Sequence, residues 1–327
     1  MMSAAVLFKL GAIFLTVALG WVAQRLGWLG RFGGGHEVAR VLSNAAFHLF
    51  VPALLFRTMA RIDLAAMPWP TLAAYFLPTV AFLLVVHRWQ RRASHGLPPA
   101  GPATRAAGAT YGNGVQLGIP MAAAMFGEPG LALHVALISL HGLVLLTLLT
   151  VLVELDLARS RPGGSLAATV RTTVRNALIH PVVLPVLLGL GWNLAGWPIP
   201  AVVDEVLATL GSAVVPVCLV LIGVSLASYG IRGQLRGGAT LAALKLVALP
   251  ALVLAVARFG FDLHGTPLTV LVMMAALPVG SNALIFAQRY RVLEADATLA
   301  IVLSTFAFVL TAPAWLAVLA LLAALAP

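Results

Sequence analysis

The sequence predicts an all-α polytopic membrane protein, ten transmembrane helices in two inverted five-helix repeats with helices 4 and 9 broken near their middles. Three observations predict it. Hydrophobic residues make up 61% of the 327 and charged residues 9%, with a mean hydropathy of +1.02, whereas a soluble domain is about 45–50% apolar and about 25% charged. The apolar residues gather into runs of spanning length, about 20 residues each. Lys and Arg concentrate in alternate connections between those runs. The formal charge of +10 therefore reads as membrane orientation and not as nucleic-acid binding.

The runs are taken in order. Residues 4–24 form the first; no basic region or small-residue cleavage site precedes them, so this is a retained span and not a leader. The second, 38–60, carries Asn44, His48 and Pro52 on one helical face. The third, 68–87, is flanked by Trp69 and Trp89, and Trp28, Trp192 and Trp197 likewise stand near span ends as interfacial anchors. The fourth is 104–126 and the fifth 130–153, with His134 and His141 on one face. The sixth, 177–196, follows a short linker, 154–176. The seventh, 202–228, contains Cys218, the single cysteine, which excludes an intrachain disulfide. The eighth is 238–257, the ninth 267–288 and the tenth 297–324. Run length favours helices, and the alternating ten-residue segments of a membrane barrel do not occur.

Orientation follows from charge. Fifteen Lys or Arg fall in one set of alternate connections, among them Arg88, Arg91, Arg92, Arg105, Arg159 and Arg236, and four in the other, Lys9, Arg57, Arg61 and Arg258. The positive-inside rule places the first set in the cytoplasm and both termini outside, in the periplasm for a cell inner membrane protein.

The halves repeat. "LGW" at 19–21 recurs at 190–192, "GW" at 27–28 recurs at 196–197, "VP" at 51–52 at 215–216 and "LP" at 77–78 at 249–250; Asn113 has Asn282 as its counterpart. The first repeat is 1–153 and the second 177–327. Five spans is an odd number, so the halves run in opposite senses. Inverted repeats with interrupted helices mark many secondary transporters.

The interruptions are "GNGVQLGIP" (112–120) and "PVGSN" (278–282). Breaking a helix frees backbone N–H and C=O groups that lipid cannot satisfy, so such segments survive only inside protein or along a wet cavity. Half-helix N-termini, with partial positive charge and spare N–H donors, suit a small organic anion. The expected substrate-binding residues are Asn113, Gly114, Gln116, Pro120, Pro278, Ser281 and Asn282, with Lys245 of the eighth span as a source of positive charge.

These motifs carry a family resemblance. "HLFVPALLF" (48–56), "GNGVQLGIPMAAAMFGEPG" (112–130), "HPVVLPVLLGL" (180–190), "LGSAVVPVCLVLIGVSLA" (210–227) and "ALPVGSNALIFAQRY" (276–290) resemble the auxin efflux carrier family, whose short bacterial members are described as malonate or malate permeases. The resemblance implies a scaffold of spans 1, 2, 6 and 7 that forms a homodimer through helices 2 and 7. It also implies a transport core of spans 3–5 and 8–10 moving as an elevator, with spans 4 and 9 crossing beside the substrate. The family's crossing residues fall on Asn113, Pro120, Pro278 and Asn282. This chain lacks the long hydrophilic central loop of the plant carriers, which makes plant auxin itself a poor guess for the substrate.

The ten carboxylates, Asp156, Asp204 and Asp296 among them, lie in connections or at span ends, which argues against a carboxylate-coupled symporter. Lys245 leaves two readings open: attraction of an anion, or a side chain snorkelling back to the cytoplasmic interface. His48 reads as a hydrogen bond that satisfies the Pro52 kink, His134 and His141 as structural, and Cys218 as a small buried apolar residue. No catalytic triad, phosphate loop, metal spacing or cofactor motif is present, so an enzyme is not expected. A passive channel and an intramembrane enzyme stand as the alternatives to a transporter.

Overall fold

The structure, a computed structural model, describes residues 4–29, 35–61, 63–65, 67–93, 96–160, 171, 175, 181, 183–229 and 235–324. The remaining parts of the expected 26–37, 88–103, 154–176 and 229–237 connections, with Arg31, Arg161 and Arg232, lie outside the described residues. Every regular element among the described residues is helical. Six helices are long and apolar enough to cross a membrane: Glu37–Ala60, Trp69–Ala93, Pro129–Arg159, Ala201–Ser228, Leu235–Gly260 and Glu294–Ala324. Val183–Leu194 and Gly265–Ala276 are shorter apolar helices.

In chain order the helices are α1 (Ala4–Arg25), α2 (Gly35–Ala45), α3 (Val51–Ala60), α4 (Trp69–Ala93), α5 (Gly101–Thr110), α6 (Ile119–His141), α7 (Thr147–Arg159), α8 (Val183–Leu194), α9 (Ala201–Ser212), α10 (Val214–Tyr229), α11 (Leu235–Ala243), α12 (Leu249–Ala255), α13 (Gly265–Ala276), α14 (Ser281–Tyr290) and α15 (Glu294–Ala324). The expected fourth and fifth spans are joined in α6, but Gly127 is non-helical there (φ 62°, ψ −163°) and Pro129 follows it, so a sharp break still separates them. The expected connections are shorter than the sequence suggested, because α4 runs on to Ala93 and α7 to Arg159.

Proline shapes these helices in a regular way. Ala46–Phe50, Gly114–Gly118 and Leu244–Ala248 are single π-turns, each followed directly by an X–Pro pair (Pro52, Pro120, Pro250). Proline has no N–H to donate, and its ring crowds the carbonyl four residues earlier; a widened turn relieves that clash. The freed carbonyl then needs another donor. For Pro250 it is Leu246 O, and the indole of Trp315 on α15 donates to it at 2.8 Å.

Two helix ends are built alike. After α1, Gly27 takes φ 71° and Trp28 N–H reaches back to Ala23 O at 3.0 Å. After α8, Gly196 takes φ 68° and Trp197 N–H reaches Trp192 O at 3.4 Å. Each is a left-handed glycine closing a helix, the bond from three residues past the end capping an orphan carbonyl.

Packing pairs α1 with α10 and α8 with α3, while α4 lies on α5 and α12 on α13. The backbone of Gly20 rests on the carbonyl of Val220, and that of Gly189 on the carbonyl of Phe56, approaches that leave no room for a side chain. Close approach of this kind replaces the hydrophobic drive that lipid cannot supply. The dense core lies where α5, α6, α13, α14 and α15 meet, around Leu117, Leu137, Met273, Leu277 and Phe308.

Charged groups sit at the ends. Arg57 grips Asp204 with two bonds, 2.9 and 3.1 Å, and Arg61 adds one at 2.8 Å, tying α3 to α9. At the far ends of α4 and α7, buried Asp156 takes His87 at 2.7 Å, with Arg91 and Arg159 at 3.4 and 3.5 Å.

Candidate functional site

The two interruptions lie against each other. Helix α5 stops at Thr110, Tyr111 turns extended (φ −80°, ψ 110°), and Asn113 sits at φ −78°, ψ 63°, with Gly114 N–H bonded to Gly112 O at 2.9 Å. That is an inverse γ-turn centred on Asn113. Helix α13 stops at Ala276; Leu277 is extended (ψ 146°), as a residue before proline prefers.

The freed backbone groups then pair across the gap. Asn113 N–H donates to Pro278 O at 2.8 Å and Gly280 N–H to Tyr111 O at 2.9 Å, giving an antiparallel bridge between Gly112 and Val279. Val279 N–H donates to Ser304 Oγ at 3.0 Å. Gly280 is required here: a Cβ would stand 2.8 Å from Gly112 O. The breaks thus satisfy most of the backbone demand that breaking two helices creates.

Side chains close over the bridge. His134 donates to Gly114 O at 2.9 Å, so its expected structural role holds. Lys245 is 0% exposed. Its ammonium donates to Ala275 O, in the last turn of α13, where helix carbonyls lack intrahelical partners and the dipole favours a cation. Its chain lies over Gly112, where an added Cβ would come within 3.3 Å of Cε and Nζ. The snorkelling reading of Lys245 is therefore incorrect: the missing side chain at Gly112 makes room, and the open carbonyl of Ala275 supplies the partner.

Of the sequence-expected residues, Asn113, Gly114, Ser281 and Asn282 line one small cavity of about 60 Å³, Pro278 contributes its carbonyl, and Lys245 backs the bridge. The backbone of Gln116 and Pro120 forms the π-turn and the start of α6; their side chains lie outside the described residues. Asn113 and Ser281 also open onto a larger cavity of about 430 Å³, otherwise mostly apolar, between α1, α10 and α15. Cys218 of α10 is buried and touches Ser281 with its side chain.

Two residues of the small cavity did not stand out in the sequence as ligands. Tyr111 Oη accepts from Asn282 Nδ2 at 3.0 Å, which leaves its own proton for another acceptor. His141 lies with its ring centroid 4.6 Å from that of Tyr111, buried, and neither ring nitrogen has a hydrogen-bond partner among the described residues. Asn113 Oδ1 is likewise buried without a partner among them. His141 is packed among the rings of Tyr75, Phe76 and Tyr111, as a structural residue is, but it lacks the hydrogen bond that His134 has. Spacing alone shows only that the two share a face; the difference comes from Gly114 O facing one ring and none facing the other. Buried polar groups are nearly always paired, so this cluster marks a place where a partner is expected.

Residues 5–316 match the family model described as "Membrane transport protein". The chain is similar to an "Uncharacterized transporter" of Methanothermobacter thermautotrophicus, 24% identical over 315 residues covering 94% of this chain and 96% of that one. It is also similar to "Auxin efflux carrier component 8" of Arabidopsis thaliana, 25% identical over 258 residues covering 66% of this chain and 70% of that protein.

Proposed function

The chain belongs to the membrane transport protein family, of auxin-efflux-carrier type, and from that premise we propose that it is a secondary transporter of a small organic anion. The observation that carries the substrate assignment is the set of donors at the paired breaks: His141, whose ring nitrogens have no partner among the described residues, and the Tyr111 hydroxyl, whose proton the bond from Asn282 leaves free. A carboxylate accepts hydrogen bonds from the amide of Asn113 or Asn282, the Tyr111 hydroxyl and the His141 N–H. Lys245 supplies a basic group behind the bridge. The 430 Å³ cavity beside Asn113 and Ser281 receives the apolar body of the anion.

The mechanism is alternating access of an elevator type, with α1–α3 and α8–α10 as the scaffold and the other helices as the moving core. Ten spans in two inverted repeats are supported by matched helix ends: the left-handed caps at Gly27 and Gly196 correspond at the same offset as Asn113 and Asn282. The two broken spans then cross at the Gly112–Val279 bridge. The reading includes an inner-membrane location with both termini outside and a homodimer formed through the scaffold.

The test is uptake of labelled mono- and dicarboxylates by proteoliposomes. Saturable uptake by one class supports the carrier. Flux rising linearly with concentration would place the protein among passive channels, and no flux of any carboxylate would remove the substrate assignment.

A further inference from the structure

A second polar pocket lies away from the breaks. It has a volume of about 240 Å³ and is lined by Trp89 and Gln90 at the end of α4, Arg105 of α5, and Arg236, Gly237 and Thr240 of α11. Arg105 donates to Gln90 Oε1 at 2.9 Å and to Asp296 Oδ2 at 3.3 Å, which holds its guanidinium in place. Asp296 is 2% exposed and lies behind the pocket, directly under the backbone of Gly237. That contact is why position 237 carries no side chain, and the pocket stays open above it. Arg236 is exposed, and its guanidinium makes no hydrogen bond or ion pair among the described residues.

The charges facing this space are two guanidiniums and one carboxylate, a surplus of one positive charge. Arg88 and Arg92 on the same helix end are exposed and add to the field, while Arg91 is engaged with Asp156. Trp89, 47% exposed, stands at the rim. A tryptophan at a helix end marks the headgroup level of a bilayer, and basic pockets between helices on the cytoplasmic side hold anionic headgroups. Planar guanidiniums match phosphate oxygens in pairs.

We infer that this pocket binds the phosphate of an anionic phospholipid, held by Arg236 and Arg105 with Trp89 resting at the interface. The inference rests on the membrane assignment and is independent of the substrate.

The test uses the full protein in phosphatidylcholine nanodiscs, with thermal unfolding followed as the fraction of phosphatidylglycerol is raised. The unaltered protein should be stabilised progressively. Arg236→Gln should lose at least half of that gain, Arg236→Lys should lose less, and Arg171→Gln, at an exposed arginine elsewhere, should keep it. A full gain in Arg236→Gln would overturn the site. A parallel series adds inorganic phosphate to pure phosphatidylcholine discs. An equal, Arg236-dependent gain there would show a free phosphate anion as the ligand and overturn the lipid source. Transport plays no part in either readout, so failure here and failure of the substrate assignment are separate results.

Discussion

The ammonium of Lys245 donates to the carbonyl of Ala275, joining the middle of one long helix to the broken end of another. Replacing Lys245 with Met removes both the charge and the donor, leaving a buried carbonyl unpaired at a cost of about 1–3 kcal/mol. Lys245→Met should bind substrate at least about tenfold more weakly, the equivalent of about 1.4 kcal/mol. Lys245→Arg should not rescue it, because a planar guanidinium does not replace a compact ammonium in a fully buried slot. Proteoliposome uptake measures this; unchanged affinity in Lys245→Met would confine the residue to a structural role.

Asn113 places its side-chain amide, a donor as well as an acceptor, at the same junction, where it lines both cavities. Asn113→Ala should reduce substrate affinity roughly 5- to 150-fold, corresponding to about 1–3 kcal/mol. The backbone bond to Pro278 persists, so expression and unfolding temperature should change little. A well-folded variant with unaltered affinity would refute the assignment.

His141 separates binding from stability. His141→Phe keeps the aromatic packing against Tyr111 and removes two unpaired nitrogens. The empty protein should melt no lower than the original, and higher if the nitrogens are a burden, while substrate affinity falls. A variant that melts lower with affinity intact would show that His141 is structural after all.

Trp315 should matter for stability alone. Its indole caps the carbonyl that Pro250 leaves open. Trp315→Phe should cost about 1–3 kcal/mol, seen as a lower unfolding temperature in detergent, with substrate affinity intact.

Orientation can be read by proteolysis. A protease site inserted at Pro98 or after Ser160 should be cut only once the membrane is opened, and one at Ala65 should be cut from outside. Cutting of both former sites from outside would reverse the orientation.

The all-helical class was legible in the composition, and the two interruptions were legible because glycine, proline and asparagine are conspicuous against leucine and valine. The helical end of the fourth span at Thr110 and the bridge to Val279 were not, since pairing between residues far apart leaves no local pattern. Lys245 was ambiguous for a related reason: its depth follows from chain position, but its direction depends on an empty space at Gly112 and an open carbonyl at Ala275. Tyr111 drew no attention and His141 was read as structural because aromatic and histidine residues in an apolar span are ordinary. Their place beside Asn282 in the small cavity, and the unbonded ring of His141, are properties of the packed fold.

Cys218 provides one more handle. It is the single thiol of the chain, buried on α10 with its side chain against Ser281 of α14. If α10 stands still while α14 travels, each excursion uncovers the sulfur for a moment. Alkylation by a membrane-permeant maleimide would then act as a clock for the seam, in the protein as nature made it and with no added label. Substrate should speed or slow that clock, and an alkylation rate indifferent to substrate would mean that the seam between Cys218 and Ser281 does not open during turnover.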